Sequence, residues 1–172
     1  DLGLNCVRMP VSGVNRVVRL CFQQFFLWMA CIFLKGDLLF CPGYLSPVFA
    51  TIPVVPVIHD MNYKDIPYSV SRFNRILYTL LVPLEVRRSS MVITISEFSK
   101  ERLTSLLKLD ESRVRVVWEG PLEISETLIP QDWLVIQEKY QISRPVILSI
   151  SSGAKHKNID MLVRAFTDFN VS

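Results

Sequence analysis

The chain has 172 residues, half of them hydrophobic and a fifth charged, with a formal net charge of +3. That composition excludes a disordered chain, and the length makes one domain the default with room for a core of useful size. A charge this small gives no argument for nucleic acid as a partner.

Four cysteines, Cys6, Cys21, Cys31 and Cys41, contain no Cys-x-x-Cys pair. With no secretory leader ahead of them, they read as buried free thiols in a reducing compartment. The stretch Val17 to Leu34 is very apolar but is interrupted by Arg19, Gln23 and Gln24. Its unbroken run, Phe25 to Leu34, is too short to span a bilayer, which needs about 20 residues. A buried helix of an α/β domain is the first expectation. A helix lying in a membrane surface is the second, since the mean hydropathy of +0.32 is high. Arg72, Arg75, Arg87 and Arg88 would face anionic headgroups in that case and water otherwise. Gly36-Asp37 marks the helix stop before a strand from Leu38 to Cys41.

Val54 to Ile58 reads as a strand running into His59-Asp60, although Pro56 lacks a ladder donor and is disfavoured in a central strand. Asp60 is expected to cap the following turn. Ser69 to Arg88 reads as a helix bent or broken at Pro83. Met91 to Ile95 is a strand running into Ser96-Glu97-Phe98-Ser99, with Ser96 capping a helix that carries Leu103, Leu106 and Leu107. Arg113 to Val117 is a strand running into Trp118-Glu119-Gly120-Pro121. Pro121 to Pro130 shows no periodicity and reads as a linker, and Gln131 to Tyr140 as a short helix. Val146 to Ile150 reads as a buried parallel strand broken by Ser151 to Gly153. Asn158 is placed as the N-cap of a helix whose Ile159, Leu162, Val163 and Phe166 recur at helical spacing. No repeat or low-complexity tract is present.

Two features carry chemistry. In open α/β sheets ligands sit at the carboxyl ends of strands, and four strand ends here carry polar residues. The last of them sets Lys155 and Lys157 beside a helix start, whose free N–H groups and partial positive charge suit an anion such as phosphate. Taken alone, that loop reads first as a solvated connection with its lysines in water. His59 ends a strand and can donate or accept a hydrogen bond near neutral pH. No Asp-x-Asp and no His/Cys/Asp cluster points to a metal.

Together, Val57-Ile58-His59-Asp60, Pro67-Tyr68-Ser69, Val92 to Ser99, the Glu119-Gly120 turn, and Lys157-Asn158 with Leu162 to Phe166 resemble retaining glycosyltransferases of family 4. The resemblance covers most of the chain from about Arg16 onward. It implies an α/β fold of the GT-B type, a Rossmann-like parallel sheet with flanking helices, truncated at both ends. Residues 1–120 would be part of the N-terminal, acceptor-side domain, 121–130 the interdomain linker, and 131–172 the start of the donor domain. The family's Gly-rich first loop would precede Asp1 and its paired-glutamate donor motif would follow Ser172.

The implied activity is transfer of a sugar from a nucleotide-sugar donor to an acceptor hydroxyl with retention, as in polysaccharide biosynthesis. The donor is a substrate and no cofactor is called for. The resemblance places His59 beside the transferred sugar as the catalytic-site histidine, Lys157 against the donor pyrophosphate, and Gly120 at a hinge. Ser152 stands at the donor-phosphate site where many relatives carry a basic residue, and Lys155 is a substitute cation there. The implied partners are the nucleotide-sugar and a saccharide or lipid-linked acceptor, in the cytoplasm, with a peripheral inner-membrane contact as the alternative setting. The competing readings are a non-catalytic Rossmann-like binding module and a GT-B nucleotide-sugar isomerase.

Overall fold

The computed structural model describes residues 6–11, 14–120, 130–143 and 146–171. The chain divides into two compact units, residues 1–119 and 120–172. Its fold is mixed α/β: helices and short parallel strands.

The first unit opens with α1 (Arg16–Phe25) and α2 (Leu27–Phe33), followed by β1 (Leu39–Cys41), β2 (Val54–Pro56) and a one-turn helix α3 (Asn62–Asp65). Then come α4 (Arg72–Arg88), β3 (Val92–Thr94), α5 (Glu97–Leu107) and β4 (Val114–Val116). β1 pairs with β2 in parallel, Leu39 opposite Val54, and β3 pairs with β4, Val92 opposite Val114. A single parallel bridge, Val57 to Ile93, joins the two pairs.

All four expected strands of this unit are present, each trimmed to three residues. Pro56 explains part of the trimming. The Val57 N–H points to Cys41 in β1 at 2.9 Å and the Ile58 N–H to Ile93 at 2.8 Å. N–H groups alternate sides along a strand, so position 56 faces β3, and proline supplies no donor there. The ladder between β2 and β3 shrinks to one bridge accordingly.

The core lies between the strands and helices α4 and α5. Ile58, Val82, Val86, Val92, Leu103 and Val114 are fully enclosed, with Leu45, Met61, Tyr63 and Leu107 around them. Helix ends are fixed by specific bonds. Ser71 Oγ accepts from the Asn74 N–H to open α4, and Ser96 Oγ accepts from the Ser99 N–H to open α5. The Arg113 guanidinium donates to the Val86 and Ser89 carbonyls at 2.9 and 2.6 Å, tying the start of β4 to the end of α4. α4 runs unbroken through Pro83. Of the expected bend or break at Pro83, the break is absent.

Three expectations are corrected in this unit. The stretch 17–34 is two helices bent by 47°, and it is not buried: Phe25, Phe26, Met29, Ile32 and Phe33 are exposed. The glutamines are the residues that turn inward. Gln24 donates to the Ser46 carbonyl at 2.7 Å and accepts from the Val48 N–H at 3.0 Å, and Gln23 donates to the Leu45 carbonyl. Residues 45–48 leave these backbone groups outside any ladder, and the amides satisfy them. The cysteines are not uniformly buried either: Cys41 is, while Cys6 and Cys21 are exposed. Finally, the left-handed residue that ends α2 lies one position before the expected glycine. Lys35 takes the left-handed conformation (φ 58°), and the Gly36 N–H closes on the Cys31 carbonyl at 2.8 Å. Gly36 is still required, since a Cβ there would sit 2.5 Å from Cys31 Sγ.

The second unit has α6 (Pro130–Lys139) and α7 (Ile159–Val171). The linker expected over Pro121 to Pro130 lies outside the described residues, apart from Pro130, which opens α6. The buried strand expected at Val146 to Ile150 is not found. No described strand pairs with the segment, and its side chains are exposed, Ile150 at 94%. A strand exists only through a ladder partner, so apolar character alone does not make one here.

Glu85 sits inside the core at 2% exposure. Burial pushes its carboxyl up from an ordinary 4.5 to about 8. Ser46 approaches closely enough to offset a little of this, yet neither carboxyl oxygen has a well-formed hydrogen bond. The folded state therefore keeps the proton to higher pH than the unfolded chain. The resulting stability is full below pH 4.5 and is lost as pH rises toward about 8. Glu85→Gln should remove that decline. Thermal melts of both proteins across this range check it: the gap between variant and wild type should widen steadily with pH, and parallel curves would contradict the assignment.

Candidate functional site

Four strand ends meet at one edge of the first unit. β1 leads to Pro42, β2 to His59, β3 to Ser96, and β4 to Glu119. Parallel pairing brings these ends to the same side, which is where α/β folds place ligands. The His59 ring lies between two acceptors: Nε2 is 3.1 Å from the Pro42 carbonyl and Nδ1 is 3.3 Å from Glu119 Oε1. A neutral imidazole has one N–H and serves only one of them. The His59 backbone is held from the other side. Ser99 Oγ donates to the His59 carbonyl at 2.8 Å, and Ser96 Oγ lies 3.1 Å from Ser99 Oγ. The helix cap of α5 and the strand end of β2 are thus one hydrogen-bonded unit.

The ring itself is wet. Side-chain exposure is 39% for His59 and 64% for Glu119, so water screens their attraction heavily. The pair orients the ring more than it stabilises the fold.

Asp60 caps the next turn as expected. Its carboxylate accepts from the Asn62 N–H at 2.9 Å and from the Asn62 side-chain amide at 2.7 Å. Tyr44 Oη donates to the Asp60 carbonyl at 2.6 Å. Burial, then the Asp60 charge, raises the Tyr44 phenol above its ordinary range. Tyr44 stacks on Tyr78 at 4.5 Å, with Tyr63 edge-on to both, so the floor beneath the site is aromatic and fixed.

Of the residues singled out from sequence, His59 alone has its side chain in this cluster. Gly120 follows Glu119 directly and opens the second unit. A Cβ there would meet nothing within 4 Å, so no close contact demands glycine. Ser152 and Lys157 belong to the second unit. Ser152 is exposed in an irregular segment, and its carbonyl accepts from Ser151 Oγ. Lys155 to Lys157 form a single 3-10 turn, with the Lys157 N–H on the Ala154 carbonyl at 2.9 Å. Both lysines are exposed. Asn158 precedes α7 but in the left-handed conformation (φ 54°), rather than the extended one of an N-cap. Its carbonyl, not its side chain, accepts from the Met161 N–H at 3.2 Å.

Glu119 and Ser99 are members of the cluster that sequence reasoning placed at polar strand ends without giving either a role of its own. The signal for each was present: Glu119 ends an apolar strand, and Ser99 lies three residues after a serine cap. Among the described residues no group of three or more His, Cys, Asp or Glu could hold a metal ion. A surface depression of about 430 Å³ between α3 and α4 is lined by Tyr63, Lys64, Arg75, Ile76, Thr79 and Leu80, none of them in the cluster.

No family model matches the chain, and neither a curated protein nor a solved structure matches it.

The part-buried Ser99 hydroxyl links two elements, so its loss should be felt. Ser99→Ala leaves the His59 carbonyl without its side-chain donor and should cost about 1–2 kcal/mol. Glu119→Gln should change stability by less than about 0.5 kcal/mol, as suits an exposed pair. Urea unfolding of the two variants beside wild type measures both, and the reverse ranking would show that the ion pair, not the serine, secures the strand end.

Proposed function

We propose that the chain is part of a retaining glycosyltransferase of the GT-B type, which moves a sugar from a nucleotide-sugar donor to an acceptor hydroxyl. The observation that carries this reading is the gathering of His59, Ser96, Ser99 and Glu119 at the carboxyl ends of parallel strands. The family 4 resemblance in the same motifs supports it. In this reading the first unit takes the acceptor side, and the acceptor is a saccharide or a lipid-linked sugar. The His59 ring, steered by the Pro42 carbonyl and Glu119, lies beside the transferred sugar, and a sugar hydroxyl reaches it by taking the place of one of those two partners. On the donor side, Lys157 faces the diphosphate, with Ser152 beside it. An ammonium placed there opposes the negative charge that develops on the leaving group, which lowers the barrier. The donor itself is a substrate, and the reading places the reaction in the cytoplasm.

One observation favours a second reading, a non-catalytic binding module. The His59 Nε2 is engaged by a backbone carbonyl, which a purely structural histidine would also do. Turnover separates the two.

The test uses the gene product that carries this chain, with UDP-, GDP- and ADP-sugars and a set of saccharide and lipid-linked acceptors. Transfer with retained anomeric configuration, read by NMR, is the expected result. Inversion, or no transfer with any pair, would sink the proposal. Lys157→Ala should lower kcat/KM for the donor roughly 10- to 150-fold, the worth of one charge-assisted hydrogen bond. His59→Ala should lower kcat with the donor KM little changed. Lys155→Ala should do less than Lys157→Ala. All three should melt near wild type, because these side chains are exposed or half-exposed.

A further inference from the structure

Helices α1 and α2 are turned inside out relative to an ordinary core helix. The polar arc of α1 faces protein, where Gln24 is bonded to the backbone at Ser46 and Val48. The apolar arc faces outward along both helices: Phe25, Phe26, Met29, Ile32 and Phe33, the last at 86% exposure. The Phe25 ring stacks on Phe49, itself exposed, at 5.9 Å. A contiguous apolar surface of this kind marks an interaction site.

Charge identifies the occupant. No Asp or Glu occurs between residues 2 and 36, whereas Arg8, Arg16, Arg19 and Lys35 do. Arg19 lies on α1 at the margin of the outward arc, and Lys35 closes α2. Arg16 holds its guanidinium 5.8 Å above the Phe73 ring of α4, next in sequence to the exposed Arg72. An apolar arc on helices that carry cations and no acidic residue, with Asp37 the first carboxylate beyond them, is the pattern of a helix that lies in the headgroup region of an anionic bilayer. No single helix is long and apolar enough to cross it; α1 and α2 together reach that length, but they are bent by 47° where they meet, which suits a pair lying along a surface.

We propose that the outward face of α1 and α2 seats this protein on an anionic lipid surface. The inference is independent of the sugar-transfer reading, because it rests on other residues and is read without turnover.

The experiment is co-sedimentation of the whole chain with vesicles of phosphatidylcholine, with and without phosphatidylglycerol. Binding should require the anionic lipid and weaken as salt is raised. Met29→Asp combined with Phe33→Asp should weaken it at least about tenfold, with an unchanged melting curve, since both side chains are already exposed. Arg19→Gln combined with Lys35→Gln should remove the preference for phosphatidylglycerol. Trp28 in α2, in a background with Trp118 and Trp133 replaced by Phe, should be quenched by brominated acyl chains. Three results would overturn the proposal. One is no binding to anionic vesicles. Another is a lipid-free dimer in ultracentrifugation that the Asp pair dissolves, which would give the face to a second copy. The third is retention on the vesicles through alkaline carbonate, which would make the segment integral.

Discussion

The join between Ile58 and Ile93 is the constraint on which the rest of the first unit depends. The Ile58 N–H on the Ile93 carbonyl at 2.8 Å aligns β2 with β3, the Ser90 N–H on the Val54 carbonyl at 3.0 Å ties β2 to the entry of β3, and the Thr94 hydroxyl reinforces the join by donating to the Ile58 carbonyl at 2.7 Å inside the core. With that alignment set, His59 emerges beside Ser96 and Ser99 and the α5 cap closes over its carbonyl. β4 then follows β3 in register and delivers Glu119 to the far side of the same ring. A slip of one residue at the join would turn Ile58 out of the core and the His59 ring into it. The enclosed Val92, Leu103 and Val114 leave no room for that. The register is therefore secured by the core, although Pro56 reduces the ladder itself to a single bridge.

The same core explains why Glu85 is tolerated. It lies one turn from Val82 and beside Val86 on the buried face of α4, so it cannot reach water without unwinding the helix. Keeping the proton is the less costly alternative to burying an unpaired charge. Nearby, Tyr63 Oη is also without a partner among the described residues, and burial followed by the Glu85 charge pushes its phenol up to about 12. Two buried polar groups therefore sit in their neutral forms on the inner side of the site's aromatic floor.

Much of this was legible in the sequence, and the reasons are local. Ser96, Asp60 and the four strands of the first unit were readable because caps, Asx turns and short β-branched runs act over a few residues. Composition also marked the apolar run of α1 and α2. It said nothing of which way that group turns, and the direction is set by the backbone at 45–48, some 20 residues further along, which recruits Gln23 and Gln24. The segment 146–150 failed for a related reason: its composition suits a buried strand, but pairing is decided by a partner that local sequence does not reveal. The contact of Glu119 with His59 was not legible because it depends on β4 lying next to β3, a matter of topology.

The anion reading of the lysine loop changes character once its backbone is known. Sequence placed a capped helix start behind two ammonium groups, so that amides and side chains would act together. In the structure the Lys157 N–H is already engaged by Ala154 and the Asn158 N–H by the Lys155 carbonyl. The turn thus satisfies two of its own amides. An anion held here would depend chiefly on the mobile ammonium groups of Lys155 and Lys157, with the start of α7 adding its dipole. Such a site attracts charge more than it selects geometry. Under the proposed sugar-transfer reading, a diphosphate here would be positioned elsewhere, by the sugar and nucleoside ends of the donor, and Lys157 would stabilise developing charge rather than choose the substrate.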